Sequence, residues 1–189
     1  YGRTAMIPHN IPMVVIGMAF LWLGWFGFNG GSAFAANGLA AHAMVTTQVA
    51  AATGMLGWML SESMLAGKAT TLGAASGAIA GLVAITPGAG FVPVWTALPI
   101  GFIGGIICYT SVAHIKTKLG YDDSLDAFGI HGVGGLWGAI ATGLFASTAV
   151  NEAGADGLFF GNPMQLWIQV EGIVYCALYG IAVTAIIVL

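Results

Sequence analysis

The chain has 189 residues, of which 58% are hydrophobic and 6% charged, and its mean hydropathy is +0.92; a soluble domain carries about 25% charge, so a soluble globular protein is excluded and a lipid bilayer is expected around it. Its formal charge of -3 comes from four basic and seven acidic side chains, too few for a nucleic-acid surface or a polybasic lipid patch, and nucleic acid is excluded as a partner.

Six apolar segments are predicted, at roughly 12–34, 39–60, 71–86, 93–115, 127–150 and 164–189, most of them near the ~20 residues needed to cross a bilayer. The third is short. Asn37-Gly38, Ala66-Gly67-Lys68, Thr86-Pro87-Gly88, Gly120-Tyr121-Asp122-Asp123 and a polar stretch containing Glu152, Asp156 and Asn162-Pro163 supply the connections. The class is therefore all-α, a polytopic membrane helix bundle. Tyr1-Gly2-Arg3 is no signal peptide, and the chain opens at a link and closes inside an apolar segment, so it is expected to be part of a longer protein.

The first segment contains Leu21-Trp22-Leu23-Gly24-Trp25-Phe26-Gly27-Phe28-Asn29-Gly30-Gly31-Ser32. Trp25, Phe28 and Ser32 stand at i, i+3 and i+7, one helix face near the outer end. Two aromatic rings and a hydroxyl suit a small cation, since each ring face attracts it by roughly 0.5–2 kcal/mol and the hydroxyl accepts a hydrogen bond from one of its protons. An interfacial aromatic belt with a packing serine fits the same spacing.

Along the second to fourth segments the strongest signal is glycine. Gly73, Gly77 and Gly81, then Gly101 and Gly105, and Gly134 and Gly138 in the fifth segment, recur every four residues. Such stripes let helix backbones meet where lipid gives no hydrophobic drive. Glu62 near Lys68 is expected to form an interfacial pair. Cys108 and Cys176 show no metal-ligand spacing and are expected to pack as small core hydrophobes. If all six segments span, Arg3, Lys68, Lys116 and Lys118 fall on one side, which the positive-inside rule makes cytoplasmic.

The fifth segment carries His131 in Asp126-Ala127-Phe128-Gly129-Ile130-His131-Gly132-Val133-Gly134-Gly135, followed by no other charge to about Val150. An ionisable ring at membrane depth is expensive and marks a functional site, and the flanking glycines let another group approach the imidazole. Asp126 is expected to cap the segment's N-terminus, with Asp123 helping it or orienting the inner end. His9, His42 and His114 lie in the leading link or near segment ends and are expected to be interfacial or packing residues. Glu171, about two turns into the last segment, is expected to bond a neighbouring helix, or else to make a vestibule or subunit contact.

Taken together, P-H-N-I-P-M at 8–13, G-W-F-G-F-N-G-G-S-A at 24–33, A-N-G-L-A-A at 36–41, S-G-A-I-A-G-L-V-A-I-T-P-G-A-G-F-V at 76–92 and D-A-F-G-I-H-G-V-G-G-L-W-G-A at 126–139 resemble the ammonium transporter (Amt/Mep/Rh) family, and its Amt branch in particular. The resemblance covers essentially the whole chain. It implies an eleven-helix fold made of two inverted repeats of five helices and a last helix, of which residues 1–189 match the second repeat plus the last helix. The first repeat would be absent. By the same resemblance Ser32 corresponds to the hydroxyl that binds ammonium in the outer vestibule, with Trp25 on the same motif. Phe28 corresponds to one of two stacked gate phenylalanines, and His131 to the second of the twin pore histidines. Leu21 and Ser76 fall where the family lines the inner pore. Implied partners are ammonium or ammonia, the bilayer of a cell (plasma or inner) membrane, two further copies in a homotrimer, and a PII-type regulatory protein for members with a cytoplasmic tail. No cofactor and no enzymatic step are implied.

The transport physics stands independently of the family. Moving a bare ammonium ion into an apolar lumen costs of the order of tens of kcal/mol, whereas neutral ammonia loses only a few hydrogen bonds. Deprotonation at the mouth is thus favoured, and an alkali cation, with no proton to give up, is excluded. A neutral imidazole offers one donor and one acceptor, so His131 facing a second histidine could bond ammonia or relay a proton. Two other readings are carried forward: a haem protein with His42 and His131 as axial ligands, and an Amt-type ammonium sensor module of a larger signalling protein. His131 is expected to have no histidine partner within the chain and to face an open concave wall built from segments one and five.

Overall fold

The computed structural model describes residues 6–188. Among them no strand occurs, and besides a single 3-10 turn at Leu158–Phe160 there are six longer helices: α1 (Ile11–Gly31), α2 (Gly38–Ala66), α3 (Thr71–Ile85), α4 (Val94–Leu119), α5 (Phe128–Phe145) and α6 (Pro163–Val188). Asn10, Asn37 and Thr70 each hold an extended backbone and accept an amide from the first turn of α1, α2 and α3, satisfying donors that a helix start leaves free. Gly67 ends α2 at φ 86°, a left-handed conformation that glycine adopts without strain.

Neighbouring helices alternate in direction. Gly54 of α2 lies against Gly77 and Gly81 of α3, and Gly73 lies against Glu62 further along α2, so these two run antiparallel. Gly101 meets Ala50, and Gly105 meets Gly54, which sets α4 parallel to α2. Trp137 of α5 donates to the Ile100 carbonyl at 2.9 Å while Gly129 abuts Val112, an antiparallel pairing. Gly143 packs on Leu166 and Gln169, where α6 turns back. With six alternating helices, the ends of α2 and α4, and with them Lys68, Lys116 and Lys118, fall on one side of the bundle, while Arg3 lies outside the described residues.

Five of the helices are long and apolar enough to cross a membrane, while α3 has 15 residues, about 22 Å at 1.5 Å per residue against a core of ~30 Å. Irregular backbone from Thr86 to Pro93 takes up the remaining depth. It is tolerated because it is enclosed: Ala89 and Val92 are buried, and three of its carbonyls are bonded by Thr46 Oγ1, His42 Nε2 and the Ser147 amide, each at 2.8 Å. Non-helical backbone at membrane depth survives only with such partners.

The core sits among α2, α3, α4 and α5, where Leu82, Ile85, Ile100 and Val92 are fully buried. The glycine stripes lie here. A Cβ on Gly81 or Gly101 would strike the Ala50 carbonyl, one on Gly105 the Gly54 carbonyl, and one on Gly138 the Ala84 carbonyl. Helices α1 and α6 instead present Phe20, Leu23, Tyr179 and Ile186 outward, as lipid-facing or partner-facing helices do.

Four expectations need correction. Cys108 is buried, but Cys176 is exposed on α6 and forms no part of the core. Glu62 does not pair with Lys68; its carboxylate accepts from Thr70 N at 2.9 Å and Thr70 Oγ1 at 2.8 Å, bracing the cap of α3. Glu171 accepts from Trp167 Nε1 at 2.7 Å within its own helix, one turn away, rather than from a neighbouring one. Asp126 is not the cap of α5: its φ is 56°, whereas a capping residue is extended, and its carboxylate is drawn 2.6 Å from Lys116 Nζ. Asp123 caps instead, its Oδ1 accepting from Ala127 N at 2.8 Å and its Oδ2 from Phe128 N at 3.0 Å.

Candidate functional site

All six residues singled out from the sequence lie along one face formed by α1, α3 and the start of α5. Helix α1 brings Leu21, Trp25, Phe28 and Ser32 into line because they recur at helical spacing. Ser76 comes from α3, parallel to it. His131 comes from a π turn, Phe128–Gly132, that opens α5. Such a turn inserts one extra residue per turn and is frequent at functional sites.

At the outer end, Phe28 and Ser32 line a hollow of about 120 Å³ together with Asn29, Thr86, Gly90 and Asn151. Ser32 caps the C-terminus of α1, and its hydroxyl donates to the Phe28 carbonyl at 2.8 Å. With its proton spent on its own helix, the oxygen keeps lone pairs for an outside donor. Phe28 is exposed, as is Ser32.

Trp25 lies between this hollow and His131. Its ring centroid is 5.7 Å from that of Phe28, tilted by 59°, and 6.2 Å from that of His131, nearly parallel at 26°. Its Nε1 donates to Thr86 Oγ1 at 2.7 Å, and Thr86 in turn donates to the Leu82 carbonyl at 2.7 Å. The indole is therefore locked against the broken end of α3. On α1 Trp25 stands one turn from Phe28 and two from Ser32, and it is the ring against which His131 stacks.

Towards the inner end, His131, Leu21 and Ser76 line a second, open hollow of about 460 Å³, with Met18, Ile79, Asp126 and Ala127. Its wall belongs to α1, α3 and α5, so α3 joins the two segments expected from the sequence. His131 is exposed to this hollow. Among the described residues its ring neighbour is Trp25; His9 lies in the leading link, His42 is held by the Val92 carbonyl, and His114 sits edge-on to Tyr109 at 6.0 Å. His42 Nε2 is engaged by the Val92 carbonyl at 2.8 Å, away from His131. No group of three or more metal-binding side chains occurs among the described residues.

Two polar residues of this face were missed. Thr86 stood in a T-P-G turn and its hydroxyl partner lies 61 residues away. Asn29, in the G-F-N-G-G run, is buried and donates to Thr47 Oγ1 at 2.9 Å, pinning α1 to α2 beside the outer hollow. An amide inside an apolar run was the available signal.

The profile of the Ammonium Transporter Family matches residues 2–189. The chain is 53% identical over 185 residues to an ammonium transporter of Bacillus subtilis, covering 98% of this chain and 46% of that protein. It is 51% identical over 186 residues to one of Aquifex aeolicus, covering 98% and 44%. Among solved structures it superposes on Saccharomyces cerevisiae Mep2 with a TM-score of 0.91 at 42% identity, covering 95% of this chain and 41% of that one. A structure described as a sensor Amt protein gives 0.80 at 31% identity, covering 88% and 40%. The chain thus spans less than half the length of the relatives it matches.

Proposed function

The chain belongs to the Ammonium Transporter Family, and on that premise we propose that the protein containing it carries ammonium or ammonia across a membrane. Residues 1–189 are the second inverted repeat and last helix of the complete transporter, which assembles as a homotrimer with one pore per subunit. The observation that carries the reading is the single file of Ser32, Phe28, Trp25 and His131, joining an outer to an inner hollow along one helix face.

Ammonium is recruited at the mouth by the Ser32 oxygen and the Phe28 ring, which together replace part of its hydration. Past Phe28 the wall is aromatic and apolar, so the ion gives its proton to solvent water at the exposed mouth and enters as ammonia; the cost of carrying the charge inward, of the order of tens of kcal/mol, has no equivalent for ammonia. His131 lies beyond, its tautomer free to donate to or accept from ammonia, and the second histidine comes from the part of the protein outside this chain. Leu21 and Ser76 line the way out. A cytoplasmic tail of the complete protein is the place for a PII-type partner.

The test is uptake of labelled methylammonium by cells lacking their own ammonium transporters and expressing the full-length protein. Saturable uptake is expected. Normal membrane expression with no uptake would overturn transport in favour of the second reading, an ammonium-sensing module, which the resemblance to the sensor Amt structure keeps in view.

A further inference from the structure

A polar cluster at the rim of the inner hollow ties the end of α4 to the start of α5. Lys116 Nζ donates to Asp126 Oδ1 at 2.6 Å and to the Asp123 carbonyl. Asp123 gives both carboxylate oxygens to the first turn of α5, reaching Ala127 N, Phe128 N and Gly129 N at 2.8, 3.0 and 3.3 Å. The next amide, Ile130 N, bonds the Asp126 carbonyl at 3.0 Å. Every amide from 127 to 130 is thereby committed, and the residue that follows is His131.

Two π turns face each other at this point, Ser111–Ile115 in α4 and Phe128–Gly132 in α5. Gly129 lies on Val112 with no room for a side chain, and the Ser111 hydroxyl beside it is buried without a hydrogen-bond partner. A π turn is a rare, wide form of helix confined to short stretches, and here the contacts available to fasten its start are those of Lys116, Asp123 and Asp126. Lys116 stands immediately after the first π turn, and Asp123 and Asp126 before the second. Asp126 adds a constraint of its own, since φ 56° is a conformation that few residues other than glycine, asparagine and aspartate hold readily.

We propose that Lys116, Asp123 and Asp126 are a clasp of positioning residues that sets the pitch of the α5 π turn and so holds the His131 ring over Trp25. The proposal rests on the transport reading for its consequence in flux but not for its geometry. Of the three only Asp126 lines a hollow, the inner one, and none lies at the outer hollow that holds Ser32, so loss of the clasp lowers turnover and leaves recruitment at Ser32 intact.

The experiment uses the full-length protein in lipid, with histidine side chains isotopically labelled and the His131 ring signals assigned from a His131 variant. Stacking on Trp25 shields those ring protons. Lys116→Met is expected to move them towards ordinary histidine values. It should lower the maximal rate per folded transporter by about tenfold to a hundredfold, as small misplacements of a working group do, with half-saturation little changed. Lys116→Arg, which can still reach both acceptors, restores both readouts. Where Lys116→Met does not accumulate, Lys116→Gln keeps one of the two bonds and should give a smaller shift of the same kind. Unshifted His131 signals in a folded Lys116→Met or Lys116→Gln protein overturn the clasp. A wild-type protein that fails to transport overturns the functional reading instead, and the spectroscopic arm still decides the clasp.

Discussion

A serine hydroxyl has one proton to give, and Ser32 gives it to the Phe28 carbonyl, which leaves its oxygen turned outward as an acceptor. An ammonium N–H can use that oxygen directly. A hydrogen bond involving a charged group contributes about 1.5–3 kcal/mol, so Ser32→Ala is expected to raise the half-saturation concentration for methylammonium by roughly tenfold or more while maximal flux holds. A collapse of maximal flux with unchanged affinity would place Ser32 inside the pore. Phe28 stands one turn deeper, exposed to the hollow and tilted against Trp25. Removing its ring in Phe28→Ala takes away a steric barrier and an apolar surface together, and conductance to potassium is expected to rise above that of the parent; an unchanged potassium conductance would show that the barrier lies elsewhere.

At the scale of the helix, small residues decide how α2, α3 and α4 meet. On α2, Gly54 opposes Gly77, Gly81 and Gly105, and Gly57 opposes Phe102, so closely that backbone touches backbone. Gly105→Ala would drive a methyl group into the Gly54 carbonyl and the Trp58 amide, neither of which can move without shifting a helix. Overpacking of this kind costs about 1–3 kcal/mol, and the midpoint of thermal unfolding in detergent should fall measurably. An unchanged midpoint would mean that α2 and α4 can separate freely. The interrupted end of α3 has the opposite logic. Its carbonyls find Thr46, His42 and the Ser147 amide, so the chain gives up helix there without leaving backbone groups unbonded, and in return Thr86 is set where it can hold Trp25.

For the molecule as a whole, the face that carries His131 is open. The inner hollow of about 460 Å³ has walls from α1, α3 and α5 on one side, and the relatives at about 50% identity are more than twice as long as the chain. The complete pore is therefore expected to need the rest of the protein. Liposomes carrying residues 1–189 alone should show no saturable methylammonium flux, while liposomes with the full-length protein should. Flux through the 189-residue chain by itself would mean that these six helices close a pore unaided.

The bilayer setting, the number of helices, the family and the alignment of Ser32, Phe28 and Trp25 on one helix were all legible in the residues alone, because hydropathy and helical periodicity are local properties and the motifs are long and specific. That Lys68, Lys116 and Lys118 fall on one side of the bundle followed from counting segments. The structure was needed wherever a side chain chose among partners distant in sequence. Nothing local distinguishes Asp123 from Asp126 as the cap of α5; the left-handed backbone at Asp126 and the reach of Lys116 across the turn decide it. Nor does periodicity say that Trp25 serves as the platform for His131, since that depends on Thr86 at the broken end of α3 holding the indole from the far side. Helical spacing places residues on a face, but the depth of a ring and the identity of its neighbour come from how separate helices pack, and in this chain that packing is set by glycines that bring backbones into contact.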